Sequence, residues 1–441
     1  MSVQEIKSQL TGDKYYKVKH KSGLNIYVYE KEGYNSTYAV FGTRYGSINT
    51  TFSSNGGEKM TVPDGIAHYL EHKLFECEDG DAFAKYAKTG ANANAFTSFD
   101  KTCYLFSTTD NFKESLEILL DFVQRPYFTE ETVAKEQGII GQEIKMYDDS
   151  PEWRVMFNLL EIMYHNHPVK IDIAGTVESI AKITPELLYK CYNTFYNLNN
   201  MALCVCGKAK LDEVLEVADR LLKPAEDVTI QNYFEDEPYE VVKDYVECNL
   251  PVAVPLFNIG FKNKYTGLST SKDMASVDVL LAMLFSSTSK IYRDMLDKGL
   301  INQSFSYEYF ETEGCSCVLL DGESQKPKEV YDTIIDYIKE LREKGLSKED
   351  YEISKKAVYG DAISSLNSVN SIGNGLMESH FTNREFFSYV DEIYNSLVKI
   401  TSLSKSELVL KGNSAKNFML ENKNYEIQGK KILKYFQFID G

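Results

Sequence analysis

The nine residues from His68 to Glu76, HYLEHKLFE, constrain this chain more than any other stretch of its sequence. They place His68 and His72 four residues apart, with Glu71 directly before the second histidine. Residues at i and i+4 lie one above the other on an α-helix, so a helix brings both imidazoles to one face, and Glu71 leans the same way. We therefore predict a helix over residues 64–76, opened by Asp64, that turns two imidazoles and a carboxylate toward one site.

The order of these three side chains, HxxEH, is the inverted zinc-peptidase signature. A structural zinc usually has four protein ligands and favours cysteine, but the nearest cysteine, Cys77, lies beyond the predicted helix. A catalytic zinc keeps a position open for water and lowers its pKa, and Glu71 could then accept the proton of that zinc-bound water as general base. The motif predicts a zinc-dependent hydrolase, and a capped surface helix with incidental histidines is the alternative.

A catalytic zinc needs a third protein ligand, and a long helix predicted to begin at Thr129 offers two glutamates. Glu136 and Glu143 lie two turns apart on one face, about 10 Å along the axis, so both can hardly bind one ion. Spacing alone does not choose between them. Gly138 and Gly141 stand between them, and glycine costs about 1 kcal/mol inside a helix. We therefore expect this face to approach another backbone closely.

Four segments resemble, in order, the insulinase/pitrilysin family of metallopeptidases, M16: HYLEHKLFE, NANAFTSFDKTCY, EQGIIGQEIKMYDD and NNMALCVCG. The resemblance covers most of residues 20–210. It implies that Glu143 binds one zinc ion per chain together with His68 and His72. It also implies that Glu136 belongs to the catalytic group with Glu71 and supports the site without binding the ion.

The same resemblance implies how a substrate is bound. In the family, an edge strand pairs with the backbone of the substrate, which gives affinity with limited side-chain preference. That strand corresponds here to Asn94, Ala95, Phe96 and Thr97. We expect a metalloendopeptidase that acts on peptides or unfolded protein segments.

The length of 441 residues predicts more than one domain. Residues 1–225 are predicted as an N-terminal zinc-binding catalytic domain, residues 226–245 as a linker rich in Pro, Asp and Glu, and residues 246–441 as a C-terminal domain of similar fold. Each is an α+β unit, a sheet with helices packed on one side. The runs 24–30 and 37–47 alternate apolar and polar residues and predict neighbouring strands of a half-buried sheet. The resemblance implies two homologous sheet-plus-helices domains of the M16/LuxS type that form half of a clamshell.

One departure from the family pattern concerns the second domain. Family members carry Arg and Tyr in a segment R-x-x-G-x-x-Y, where they hold the substrate and polarise its carbonyl. Leu296 and Asn302 stand at those places in this chain. Arg293 and Tyr307 could substitute, although ordinary surface and strand roles are the other interpretation. We therefore expect a homologous subunit, in a heterodimer or homodimer, and the alternative function is a zinc-bearing subunit or scaffold with little activity alone.

Composition excludes other classes of function. The net charge of −17 argues against a nucleic-acid partner, and no run approaches the ~20 apolar residues that a membrane span requires. The polar N-terminus is not a signal peptide, and eight scattered cysteines without a CxxC pair are typical of buried thiols. These features predict a cytoplasmic protein without a membrane partner. His165 and His167 are predicted to pack or cap rather than bind metal.

Overall fold

The computed structural model describes residues 2–401, so residues 402–441 of the predicted C-terminal domain lie outside the described part. The described residues form fifteen strands, fourteen α-helices and two three-residue 3₁₀ helices. The strands are β1 (Ser2–Lys7), β2 (Lys14–Lys19), β3 (Asn25–Glu30), β4 (Thr37–Thr43), β5 (Thr51–Ser54), β6 (Met60–Thr61), β7 (Glu76–Cys77), β8 (Gly80–Asp81), β9 (Asn92–Thr97), β10 (Thr102–Thr108), β11 (Met201–Gly207), β12 (Ile230–Asn232), β13 (Leu256–Lys262), β14 (Ser306–Thr312) and β15 (Cys315–Glu323). The helices are α1 (Ile66–Leu74), α2 (Ala82–Thr89), α3 (Phe112–Phe122), α4 (Glu130–Asp148), α5 (Pro151–Met163), α6 (Val177–Ile180), α7 (Pro185–Phe195), α8 (Leu211–Leu221), α9 (Ser271–Phe285), α10 (Lys290–Asp297), α11 (Pro327–Lys344), α12 (Lys348–Ser365), α13 (Val369–Phe381) and α14 (Ser388–Thr401).

The N-terminal half is built on a seven-stranded sheet in the order β1-β2-β3-β11-β4-β10-β9. The prediction that β3 and β4 are neighbours is wrong, because β11 lies between them, parallel to β3 and antiparallel to β4. Every residue of β11 is buried, which suits a central strand. At the other end of the order, β9 pairs with β10 alone, so its outer edge has no strand partner within residues 2–401.

Both faces of this sheet are covered, so the expectation of a half-buried sheet is also wrong. Helices α1, α3, α7 and α8 pack against one face. Helix α13, which comes from the C-terminal half of the chain, covers the other. A Cβ on Gly373 of α13 would lie 2.5 Å from the ring of Tyr38, and one on Gly42 of β4 would lie 2.8 Å from Met377 Sδ. A glycine in the helix and a glycine in the sheet therefore allow α13 and β4 to pack closely together.

The C-terminal half contains a three-stranded sheet, β13-β15-β14, with α9, α10 and α11 packed on it around one apolar cluster. Its order α9-α10-β14-β15-α11 repeats the order α1-α2-β9-β10-α3 of the first half, apart from the short pair β7 and β8 between α1 and α2. The predicted α+β class with two similarly ordered domains is therefore confirmed.

One stretch, Ser271–Asp297, is long and apolar enough by composition to cross a membrane. In the structure it is two helices, α9 and α10, separated by the non-helical residues 286–289. Leu281, Phe285 and Met295 from this stretch are buried in the C-terminal core. Its hydrophobicity is thus used for packing between helices and sheet.

Candidate metal centre

Helix α1 carries the HxxEH residues and is fixed at its start and in its middle. It begins at Ile66 and not at Asp64, because Gly65 precedes it in the left-handed conformation, with φ of +86°. A Cβ at Gly65 would lie 2.3 Å from the carbonyl oxygen of Ala174, so only glycine fits there. The hydroxyl of Tyr69 donates to the carbonyl of Val133, which ties α1 to α4. The two helices are thus held side by side.

Helix α4 supplies the carboxylates. Thr129 caps its first turn, as predicted. Glu136, Ile140, Glu143 and Tyr147 follow one another at three- and four-residue intervals and are buried or half-buried. This stripe faces α1 and α5, so both candidate glutamates come to the histidines from the same side.

The expectation that Gly138 and Gly141 allow a close backbone approach is wrong. No heavy atom outside the helix lies within 4 Å of a Cβ built at either position. Gly138 is exposed and lies on the side of α4 away from Glu136. Closeness of α1 and α4 therefore depends on the stripe of long side chains and not on the glycines.

His68, His72 and Glu143 converge. Their ligand atoms all lie within 4.8 Å of one another. Glu143 Oε1 is 3.7 Å from His68 Nε2, and Glu143 Oε2 is 3.3 Å from His72 Nε2. Ligand atoms around a tetrahedral zinc lie about 3.4 Å apart, and two imidazoles with one carboxylate form a donor set typical of catalytic zinc. These three side chains therefore fit the metal that the sequence motif predicts.

Glu136 contacts the outer side of the same cluster. Its Oε1 lies 3.0 Å from Nδ1 of His72, the nitrogen that faces away from Glu143. Such a carboxylate fixes the orientation and tautomer of a metal-binding imidazole. Nδ1 of His68 is buried and has no hydrogen-bond partner among residues 2–401. A carboxylate thus orients the ring of His72 through Nδ1, whereas burial alone holds the Nδ1 side of His68.

The charges in the cluster are uneven. Burial lowers the pKa of His68 to about 4, so its imidazole is neutral at pH 7. Burial also disfavours the charged form of His72, but the carboxylates of Glu136 and Glu143 outweigh it and raise the pKa to about 10. The hydrogen bond from His72 lowers the pKa of Glu143 to about 2. Without a metal ion, the imidazole of His72 therefore carries the proton and the carboxylate of Glu143 is charged.

Glu71 lies beside this cluster and is 8% exposed. Burial raises the pKa of its carboxyl to about 7, although a hydrogen bond from Thr97 works against the rise. The Thr97 hydroxyl donates to Glu71 Oε2 at 2.6 Å. The carboxylate is thus attached to Thr97, the last residue of β9, and Asn94, Ala95 and Phe96 precede it on the same edge strand. Glu71 and the predicted substrate strand are in direct contact.

One supporting group was missed in the sequence. The Tyr147 hydroxyl donates to Glu143 Oε1 at 2.6 Å, and its ring stacks on Trp153 with the centroids 4.5 Å apart. The indole N–H of Trp153 donates to Asp172 at 2.5 Å. Tyr147 follows Glu143 by four residues, and that spacing on a helix is the signal that could have revealed it. Nothing local points to Asp172.

The second-domain residues have ordinary structural contacts. Arg293 Nε donates to the carbonyl of Ser289 at the start of its own helix, 3.3 Å away. The ring of Tyr307 packs 6.3 Å from that of Phe285 in the C-terminal core. The side chain of Asn302 donates to Glu323. These contacts support the surface and strand roles for Arg293 and Tyr307.

His167 is a capping residue, as the sequence indicated. Its Nδ1 accepts from the backbone N–H of Val169 at the start of a short helical turn. Its Nε2 lies 2.9 Å from the carbonyl oxygen of Glu313. The ring therefore links the loop after α5 to the β14–β15 turn.

This chain is similar in sequence and in fold to known proteins. Residues 58–177 match the profile of the insulinase family, peptidase family M16, and residues 182–358 match the profile described as the M16 inactive domain. The uncharacterized zinc protease YmfH of Bacillus subtilis (strain 168) is 43% identical over 384 residues, which cover 85% of this chain and 89% of that protein. The crystal structure of an M16-like peptidase from Alicyclobacillus acidocaldarius has a TM-score of 0.82 at 33% identity, covering 89% of this chain and 92% of the other. The fold is also similar to that of the first half of the periplasmic protease PqqL from Escherichia coli, with a TM-score of 0.65 at 14% identity, covering 94% and 91% of the two chains.

Proposed function

This chain belongs to the insulinase family of peptidases, M16, and we propose that it is a zinc-dependent endopeptidase that hydrolyses peptides or unfolded protein segments. The relative that is 43% identical bears the name zinc protease. The observation that carries the proposal is the convergence of His68, His72 and Glu143 within 4.8 Å. A buried glutamate, Glu71, lies next to that cluster and is bonded to an edge strand.

In this proposal, His68, His72 and Glu143 hold one zinc ion per chain, and Glu136 fixes His72 from behind. Zinc bound there supplies a Lewis acid that lowers the pKa of water and polarises a carbonyl. Glu71 accepts the proton of the attacking water as general base and then donates it to the leaving amine. Burial suits this exchange, because a carboxyl group with a pKa of about 7 can both accept and return a proton near neutral pH.

The substrate is proposed to bind as an added strand along β9. Its outer edge has no strand partner within residues 2–401, so a peptide can pair with the outward-facing backbone groups of residues 94–97. Such a peptide would displace the side chain of Asn94, which now accepts from the backbone N–H of Ala95. Main-chain pairing needs an extended segment, and a folded protein rarely offers one. This supports unfolded segments and peptides as the substrate class.

Zinc analysis combined with a peptide-cleavage assay tests this function. We expect about one zinc per chain in the purified protein and cleavage of unstructured peptides. Glu71→Gln should keep the zinc and abolish cleavage, because an amide cannot accept the proton of water. Glu78→Gln, an exposed change seven residues away, is the matched control and should keep both. Full zinc occupancy in a His68→Ala/His72→Ala double variant, or cleavage by Glu71→Gln, would contradict the proposal.

A second candidate is favoured by the end of α10, where Leu296 and Asn302 stand in place of Arg and Tyr. In this alternative the chain is the zinc-bearing half of a heterodimer and has little activity alone. Its similarity in fold to the first half of a protease agrees with a half-unit of this kind. The two candidates differ in whether the isolated chain turns over peptides.

A further inference from the structure

A cleft of ≈ 250 Å³ lies where the β9–β10 turn meets the C-terminal half, and no function has yet been assigned to it. One wall is the turn at residues 98–101, and the opposite wall is the stretch 308–312 of β14. Ser98 directly follows Thr97, whose hydroxyl contacts Glu71. The cleft therefore begins where the proposed substrate strand would leave the catalytic centre.

The charges that line this cleft do not balance. Asp100 and Glu378 share one lysine, Lys101, at 2.8 Å each. Glu311 pairs with Arg384 at 2.5 Å. The remaining carboxylate in the lining, Glu308, has no ion-pair partner within 4 Å among the described residues. Four carboxylates against two cations leave a net charge of −2 on the walls, which favours a cationic ligand.

A second observation, independent of charge, also indicates a ligand. Thr312 lines the cleft and is 2% exposed, yet its hydroxyl has no hydrogen-bond partner within residues 2–401. A buried hydroxyl without a partner costs free energy. A polar group of a bound molecule, such as a peptide N–H, would remove that cost.

The size of the cleft and its remaining walls suit one long side chain with the peptide backbone next to it. Thr312 and Glu308 lie four residues apart on one strand, which is about 13 Å. Between them the ring of Phe310 meets the ring of Phe99 edge to face, with the centroids 5.2 Å apart. Lysine and arginine side chains place an alkyl stem on such apolar surfaces and keep the charged head beside a carboxylate. The volume, equal to about eight waters, holds a long side chain with part of its backbone.

We propose that this cleft is a substrate subsite that takes a short segment of the bound peptide, one side chain with part of its backbone, and favours a lysine or arginine in it. The alkyl stem packs on Phe99 and Phe310, the cationic head lies at Glu308, and a peptide polar group bonds to Thr312. This inference rests on the proposed peptidase function, because the segment reaches the cleft along β9. The subsite makes the preferred substrates cationic peptides, cleaved close to a basic residue.

A peptide series identical except for Lys, Gln or Glu at each successive position around the cleaved bond tests the subsite. Cleavage is measured as kcat/KM, and binding is measured separately by fluorescence anisotropy with the Glu71→Gln protein. We expect a Lys-over-Gln preference of roughly tenfold at one or two neighbouring positions, the value of one hydrogen bond to a charged group. The preference should shrink as salt is raised, since Glu308 is exposed.

Two variants locate the preference. Glu308→Gln should reduce the Lys-over-Gln ratio to about two- or threefold, whereas Glu343→Gln, the same change at an exposed site on α11, should leave the ratio unchanged. Thr312→Val should weaken binding several-fold with Lys and Gln peptides alike. No Lys preference at any position, or the same ratio in Glu308→Gln, would overturn the proposal, and unchanged binding in Thr312→Val would remove Thr312 from the subsite.

The two readouts separate this inference from the proposed function. Peptides that are cleaved without any charge preference leave the peptidase standing and remove the subsite. Peptides that bind with a Lys preference but are cleaved nowhere leave the subsite standing and contradict the peptidase.

Discussion

The hydroxyl of Thr97 donates a hydrogen bond to Oε2 of Glu71 across 2.6 Å and so joins the end of β9 to the proposed catalytic base. Thr97 is itself placed by its antiparallel neighbour Thr102, which is fully buried and donates to the carbonyl of Tyr45. The contact holds one of the two carboxylate oxygens of Glu71. Thr97 therefore links the proposed substrate strand, β9, to the proposed base on α1.

We predict that Thr97→Val lowers kcat by roughly 10–100-fold, because a hydrogen bond to a charged group is lost while the side-chain volume is kept. KM should change little, since backbone pairing along β9 does not need the hydroxyl. Thr97→Ser should restore most of the activity. Zinc content, measured alongside, should equal that of the wild type in both variants, and loss of zinc from Thr97→Val would contradict the assigned role.

The two glutamates of α4 should respond differently to the same change. Glu143→Gln should remove most of the zinc, because a direct ligand is lost. Glu136→Gln should weaken zinc binding by about 10–100-fold, since it leaves His72 unfixed but keeps three ligands. Titration of each variant with a competing chelator measures both effects. Zinc stripped by Glu136→Gln and retained by Glu143→Gln would reverse the assignment.

Tyr147→Phe tests the supporting group on Glu143. Loss of its hydroxyl frees Oε1 of Glu143, and we expect zinc affinity to fall by about tenfold with the fold unchanged. The stack on Trp153 remains in the phenylalanine variant, so near-ultraviolet circular dichroism should be preserved. Tyr189→Phe, which removes a hydroxyl that accepts a hydrogen bond from the backbone N–H of Phe128, is the control and should keep zinc affinity.

The centre of the site could be predicted because its information is local. His68, Glu71 and His72 are within one helical turn, and a helix determines their common face whatever surrounds it. The choice of Glu143 over Glu136 needed the family resemblance, since both lie on the stripe that faces α1. The contact from Thr97 to Glu71 depends on how β9 packs against α1. The spacing of residues in the sequence does not predict that packing.

The fold was predictable in class and order but not in its long-range contacts. The alternation of apolar and polar residues in β3 and β4 predicts that they are strands. It does not predict that β11, some 160 residues later in the chain, lies between them in the sheet. Helix α13 was assigned to the second domain by its place in the chain, but it packs on the first sheet. The sequence also does not show whether a glycine in a helix marks a close contact. Gly138 faces open space, whereas Gly373 lies against the ring of Tyr38.

That difference between the glycines gives a stability prediction. Gly138→Ala should stabilise the protein by up to about 1 kcal/mol, since alanine favours the helix and the added methyl group meets nothing. Gly373→Ala should destabilise it by about 1–3 kcal/mol, because Tyr38 is fixed through its hydroxyl to Asn374 and cannot move aside. Urea unfolding of the two variants measures both shifts. A stabilised Gly373→Ala variant would contradict the close packing of α13 on the sheet.

We expect a partner chain to complete the catalytic site. Zinc and Glu71 would deliver the attacking water, but the developing oxyanion also needs a donor, and losing one typically costs ~100–1000-fold in turnover. Arg293 bonds to its own helix and Tyr307 packs in the C-terminal core, so neither is free for that task. We therefore expect slow cleavage by the isolated chain and a rise of at least about 100-fold when a homologous subunit with the Arg and Tyr pair is added.

Pull-down from native cells, followed by kinetics of the mixed chains, checks this expectation. Arg293→Ala and Tyr307→Phe should leave the activity of the mixture within about twofold, because the donors come from the partner's second domain. Arg220→Ala, on the exposed side of α8 in the first half, controls for the loss of one positive charge. If the isolated chain is as fast as the mixture and Arg293→Ala or Tyr307→Phe abolishes its activity, the donors are supplied within the chain. A zinc site complete in His68, His72 and Glu143 would then serve a self-sufficient enzyme, and the heterodimer would be excluded.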